Sequence, residues 1–65
     1  MDLENIVEAL NDVNIKIQNE YNKWNLIDDI DLIEECIWNI KSLEIRRGNL
    51  YRKAKALNNS HKEVV

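Results

Sequence analysis

The chain has 65 residues and a mass of 7.7 kDa, with no Pro, one Gly and one Cys. Its 45% hydrophobic content excludes a disordered chain, and its formal net charge of −3 argues against nucleic acid as the obvious partner. A single Cys excludes an internal disulfide, and no stretch approaches the ~20 apolar residues of a membrane span.

Such a chain allows one domain, and that domain buries too little surface to be comfortable alone. Met1 is followed by Asp2, Leu3 and Glu4 rather than by a basic region and an apolar run, so no signal peptide is expected. Together with the sparse Cys, this predicts a cytoplasmic protein.

In the first half, Leu3, Ile6, Leu10, Val13, Ile17 and Trp24 recur at steps of three and four, with Glu20 on the same row. This is the period of an amphipathic helix. Val7 and Tyr21 widen the stripe on one side. Asp2, Glu4 and Glu8 fall in the first turns, where carboxylates complement the helix dipole. The spacing predicts a first helix over about residues 2–23.

A turn over residues 24–28 follows, with Asn25 the candidate for a left-handed helix end. Asp28 or Asp29 is expected to cap the second helix, and Asp31, Glu34 and Glu35 fill its first turns. From Ile33 a heptad holds: Ile33, Ile40, Arg47 and Ala54 form one seam row, and Cys36, Leu43, Leu50 and Leu57 the other. Ile37 and Tyr51 flank them. Gly48 costs ~1 kcal/mol relative to Ala inside a helix, but the seam continues on both sides, so the helix is expected to pass through it. It is predicted to span about residues 29–57 and to leave 58–65 as a frayed tail.

A short connection makes two such helices antiparallel neighbours. The fold class is therefore all-α: a coiled-coil-like two-helix hairpin, one domain over residues 1–65. The expected register places Trp24 near Ile30, Ile17 near Ile37, Leu10 near Leu43 and Leu3 near Leu50. Residues 1–40 hold ten acids and two bases, whereas residues 41–65 hold seven bases and two acids. Folding back is expected to set Glu4 and Glu8 beside Arg47. Ile30, Trp38 and Ile45 lie off the seam, and Ile15 does the same on the first helix. Two helices cannot cover them, so self-association is expected, most simply a homodimer forming a four-helix bundle or else a larger homo-oligomer, or docking on a larger partner.

From Trp24 onward the chain resembles the YaaL-like family of small uncharacterised helical proteins of spore-forming Firmicutes. The matching positions are Trp24, Asn25, Asp29, Asp31, Leu32, Ile33, Ile37, Glu44, Arg46, Leu50, Lys53, Ala54 and Lys55. Ile30 stands where that family has Pro, and Arg47 where it has an aromatic residue. The resemblance implies a cytoplasmic helical protein, encoded in many members near recombination and sporulation genes, with no catalytic residues to carry over. The small hairpin phosphatases of the sporulation phosphorelay offer another comparison. Their Ser-Gln-x-x-x-Asp-like signature has no counterpart between Glu34 and Lys41.

Each remaining candidate site has a structural explanation. The acids from Asp28 to Glu35 lack the glycine turn and ligand alternation of a calcium loop, so no metal is expected. Cys36 lies on the seam, where a small apolar residue belongs. His61 is far from it in sequence, so no catalytic pair is expected. Nor is a cofactor expected, and an enzyme is not. Arg46, Arg52, Lys53 and Lys55 are candidates for a nucleic-acid or protein contact. Arg47, on the seam, is read as a side chain reaching outward to Glu4 or Glu8. Trp38, Ile45 and Ile30 are the residues expected to touch a partner. The chain thus reads as a non-enzymatic protein–protein interaction module or small regulatory adaptor, which the family resemblance implies is linked to sporulation. The alternative is an accessory factor of DNA transactions acting through the basic end of the second helix.

Overall fold

The computed structural model describes residues 2–64, with side chains described for residues 2–58. It is an antiparallel two-helix hairpin: α1 spans Leu3–Leu26 and α2 spans Ile30–Val64. The described residues contain no strand. The molecule measures 54 × 15 × 14 Å, the shape of two rods side by side.

Local chemistry sets the helix starts. Asp2 caps α1, its Oδ1 accepting from the Asn5 N–H at 2.8 Å. Asp29, of the two candidates, caps α2. Its Oδ1 accepts from the N–H groups of Asp31 at 2.8 Å and Leu32 at 3.3 Å. Both caps satisfy backbone donors that have no partner inside the helix.

The turn is shorter than expected. α1 continues through Trp24, Asn25 and Leu26, leaving only Ile27, Asp28 and Asp29 as the connection. Asn25 does not take a left-handed conformation; among the described residues none has positive φ. Ile27 ends α1 instead, in extended backbone at φ −114° and ψ 145°. The extra turn is held by packing: Trp24 is half-buried and stacks on Tyr21 with ring centroids 6.1 Å apart.

At the other end α2 does not stop near Leu57. Its backbone stays helical through Asn58, Asn59 and Ser60 to Val64. These are weak helix formers, but each costs only tenths of a kcal/mol more than Ala, and neither Pro nor Gly follows to stop the helix. Val65 and the side chains from Asn59 onward, including that of His61, lie outside the described residues. With 35 residues against 24 in α1, α2 runs past the start of its neighbour. It also passes through Gly48 without interruption.

Every α2 seam residue is buried or half-buried, as the heptad requires. The core joins Ile6, Val13 and Ile17 of α1 to Leu50 of α2, with Ala9, Leu10, Leu43, Ala54 and Leu57 packed around them. Cys36 and Ile40 are buried closer to the turn. The register, however, differs from the expected one. Two cross-helix hydrogen bonds mark it: Asn39 Nδ2 donates to Glu20 Oε2 at 3.4 Å, and Arg47 donates to Asn14 Oδ1 at 3.2 Å. A register with Ile17 near Ile37 and Leu10 near Leu43 would instead set Glu20 about level with Glu34, and Asn14 with Ile40. The helices are therefore displaced by more than one turn, because α1 is longer and the pivot of the hairpin lies later in the chain.

Candidate interaction surface

The heptads that build the seam also sort the remaining residues onto three surfaces. At about 100° per residue, residues three before the Ile33 row lie on one flank of α2: Ile30, Ile37, Glu44 and Tyr51. On α1 the corresponding flank carries Val7, Asn14 and Tyr21. Antiparallel pairing brings these two flanks to the same side of the hairpin, and the bond from Arg47 to Asn14 lies along it. Leu3, Val7, Tyr21, Ile30 and Tyr51 are exposed there, and Leu10, Trp24, Ile33 and Ile37 are half-buried. This is an apolar face with Glu44 and Asn14 at its middle.

The opposite open side is polar at its middle; nearer its ends it carries the exposed Leu32 and an apolar pocket lined by Ile6, Lys53, Ala56 and Leu57. A shallow groove at the middle is lined by Lys16, Asn19, Glu20, Asn39, Ser42 and Leu43. Glu20 is its centre. It accepts from Asn39 and, through Oε1, from Lys23 Nζ at 3.5 Å. Lys16 pairs with Asp12 at 3.0 Å.

The third surface is the back of α2, farthest from α1. Trp38 and Ile45 fall here, seven residues apart, at 61% and 66% exposure. Lys41 Nζ sits 5.1 Å from the Trp38 ring centroid, a cation–π contact. Ile30 does not join them. It is exposed, but it belongs to the flank row with Ile37. The three residues expected to form one contact surface thus lie on two. Ile15 is exposed on the back of α1.

The residues that sequence reasoning passed over are Val7, Tyr21, Ile37 and Tyr51. Their signal was the widening of the seam on one side only. It acquires meaning once the two widened flanks are known to face the same way.

The charges do not behave as expected. Arg47 reaches Asn14 and, at 3.9 Å, Glu44 on its own helix, not Glu4 or Glu8. Every ion pair among the described residues lies within a single helix. Surface pairs of this kind contribute at most about 1 kcal/mol. Among the described residues, no cation of the basic end of α2 pairs with an acid of α1. Arg46, Arg52, Lys53 and Lys55 are all exposed, and Arg52 donates to Asn49 on its own helix.

Cys36 is buried on the seam. Burial pushes its thiol above the ordinary range, and the Glu20 carboxylate, accepting from the thiol, raises it further. A neutral buried thiol is a packing group rather than a nucleophile. Among the described residues no group of three or more His, Cys, Asp or Glu is placed to hold a metal ion. No helix among them is long and apolar enough to cross a membrane.

Compared with protein-family models, curated proteins and solved structures, the chain has no significant match.

Proposed function

We propose that this chain is a non-enzymatic interaction module: a helical hairpin that self-associates into a four-helix bundle and acts as a small adaptor by binding another protein. The observation that carries the reading is the long apolar flank, with Leu3, Val7, Tyr21 and Tyr51 exposed next to the core. A second layer of helices is the usual cover for such a face. Two copies together reach the size at which a helical core becomes comfortable.

Trp38 and Ile45, on a separate surface, serve the protein partner. Trp is favoured at binding hot spots because one rigid side chain supplies a large contact area. The resemblance of residues 24–55 to the YaaL-like family, many of whose members are encoded near sporulation genes, supports a cytoplasmic adaptor linked to that process.

Sedimentation equilibrium from low to high micromolar concentration tests the self-association. A concentration-dependent rise towards twice 7.7 kDa is expected. A constant monomer mass across that range would remove the reading.

A second reading is favoured by one observation: Arg46, Arg52, Lys53 and Lys55 are exposed, and among the described residues none of them is ion-paired. Such a concentration of cations around the end of α2 suits a phosphate backbone, and the chain would then be an accessory factor of DNA transactions. A mobility-shift titration at several salt concentrations separates the readings. Binding that falls steeply as salt rises would favour DNA.

A further inference from the structure

Resting on the self-association just proposed, we infer that the second copy packs against the apolar face head to tail, α2 against α2, with its turn at the opposite end. Two hairpins stacked on this face can be related by a two-fold axis in only two simple ways. One axis runs parallel to the helices and puts both turns at the same end. The other crosses the helices and puts the turns at opposite ends.

Charge decides between them. The start of α2 and its cap carry Asp28, Asp29, Asp31, Glu34 and Glu35, while the later half carries Arg46, Arg47, Arg52, Lys53 and Lys55. With both turns together, ten carboxylates crowd one end of the assembly. With turns apart, each acidic start lies along the basic half of the other α2. Like charges brought together in an interface cost several kcal/mol, whereas complementary ends steer and orient the pair.

The flank row gives the same answer by register. Ile37 and Tyr51 stand seven residues either side of Glu44. A two-fold point near Glu44 seats Ile37 of one copy on Tyr51 of the other. That same point brings Glu34 of one copy to Lys55 of the other, on the rim next to the apolar row. Neither Glu34 nor Lys55 is ion-paired within the described monomer. Glu44 itself lies 3.9 Å from Arg47, so the centre joins two Glu–Arg pairs rather than two bare carboxylates. Trp38 and Ile45 remain on the outside of the assembly.

A carbodiimide cross-link between Glu34 and Lys55 tests this directly. Both residues are on α2, 21 positions apart, so at ~1.5 Å per residue about 32 Å separates them within one chain. The link can form only between copies. Mass spectrometry of an isotope-mixed sample is expected to show it in mixed form. In sedimentation equilibrium E34K and K55E should each weaken the dimer about tenfold, from two rim pairs lost and replaced by repulsion. The double variant should recover most of that loss. An E34K protein that dimerises as well as or better than wild type, together with no Glu34–Lys55 link in the wild-type dimer, would overturn the head-to-tail arrangement and leave self-association standing. A wild-type chain that stays monomeric would overturn both.

Discussion

Asn39 of α2 donates its side-chain amide to Glu20 of α1 at 3.4 Å. Among the described residues it is one of the few polar contacts across a largely apolar seam, and its energetic weight is small. A net hydrogen bond of this kind contributes roughly 0.5–1.5 kcal/mol, against the burial of Ile6, Val13, Ile17 and Leu50. Its value is selectivity: a hairpin slipped by one heptad keeps apolar on apolar but separates Glu20 from Asn39. Glu20→Leu is therefore expected to raise the melting temperature while permitting a second register. Thermal melting reads the first effect, and a doubled set of amide resonances reads the second. A lower melting temperature with a single set would show that Glu20 stabilises the pairing outright.

Gly48 sits inside an uninterrupted helix, and a Cβ built on it meets nothing within 4 Å. Gly48→Ala should stabilise the chain by ~1 kcal/mol through the loss of unfolded-state freedom. That corresponds to a rise of about 4–8 °C in melting temperature for a domain of this size. Unchanged melting would mean that α2 is already frayed at this point before the hairpin unfolds.

The fold and its seam were legible because both are written in short-range spacing. Ile33, Cys36, Ile40, Leu43 and Leu50 repeat at three and four, and a single helix suffices to read that. The register was not legible. It depends on where α1 stops, and Trp24, Asn25 and Leu26 contain neither Gly nor Pro to mark the point; the stacking of Trp24 on Tyr21 holds the last turn. Because the register was missed, Arg47 was matched to Glu4 and Glu8 when its neighbours are Asn14 and Glu44. The apolar face depends on the handedness of two flanks in three dimensions, which spacing along one helix does not report.

Leu43 is half-buried on the seam against the core around Ile17 and Leu50. Leu43→Asp removes apolar contact and sets a carboxylate against that core, where Lys16 across the groove is already paired with Asp12. The expected loss is several kcal/mol, enough to unfold a domain with this little core. Circular dichroism should show the helical signal fall and the cooperative melt disappear. A retained cooperative melt would count against the seam.

The thiol of Cys36 is held above its ordinary range by burial first and by Glu20 second. A raised value in the folded state means that the folded chain keeps its proton at a pH where the unfolded chain loses it. The contribution is fully present below the unfolded thiol value of about 8.5. It is lost as pH rises through the higher folded value. Thermal melts between pH 8 and 10 should therefore decline more steeply for the wild type than for Cys36→Val. Parallel curves would mean that the thiol titrates alike in both states. Maleimide labelling at neutral pH should likewise be slow until the chain is unfolded.

Trp38 and Ile45 point away from α1, on the surface that a bundle formed through the Val7–Tyr51 face leaves open. Trp38→Ala removes no core contact and ends the cation–π contact with Lys41, worth ~0.5–1 kcal/mol at an exposed site. Its melting temperature should fall by only a few degrees, and its sedimentation should match that of the wild type. Tyr51→Glu, on the apolar face, should do the reverse: helical content is kept, but the dimer is lost as a charge is forced into the interface. Comparing the two variants by sedimentation equilibrium separates the surfaces. If Trp38→Ala dissociates the assembly and Tyr51→Glu does not, the copies meet through the back of α2, and the apolar face is left for the protein partner.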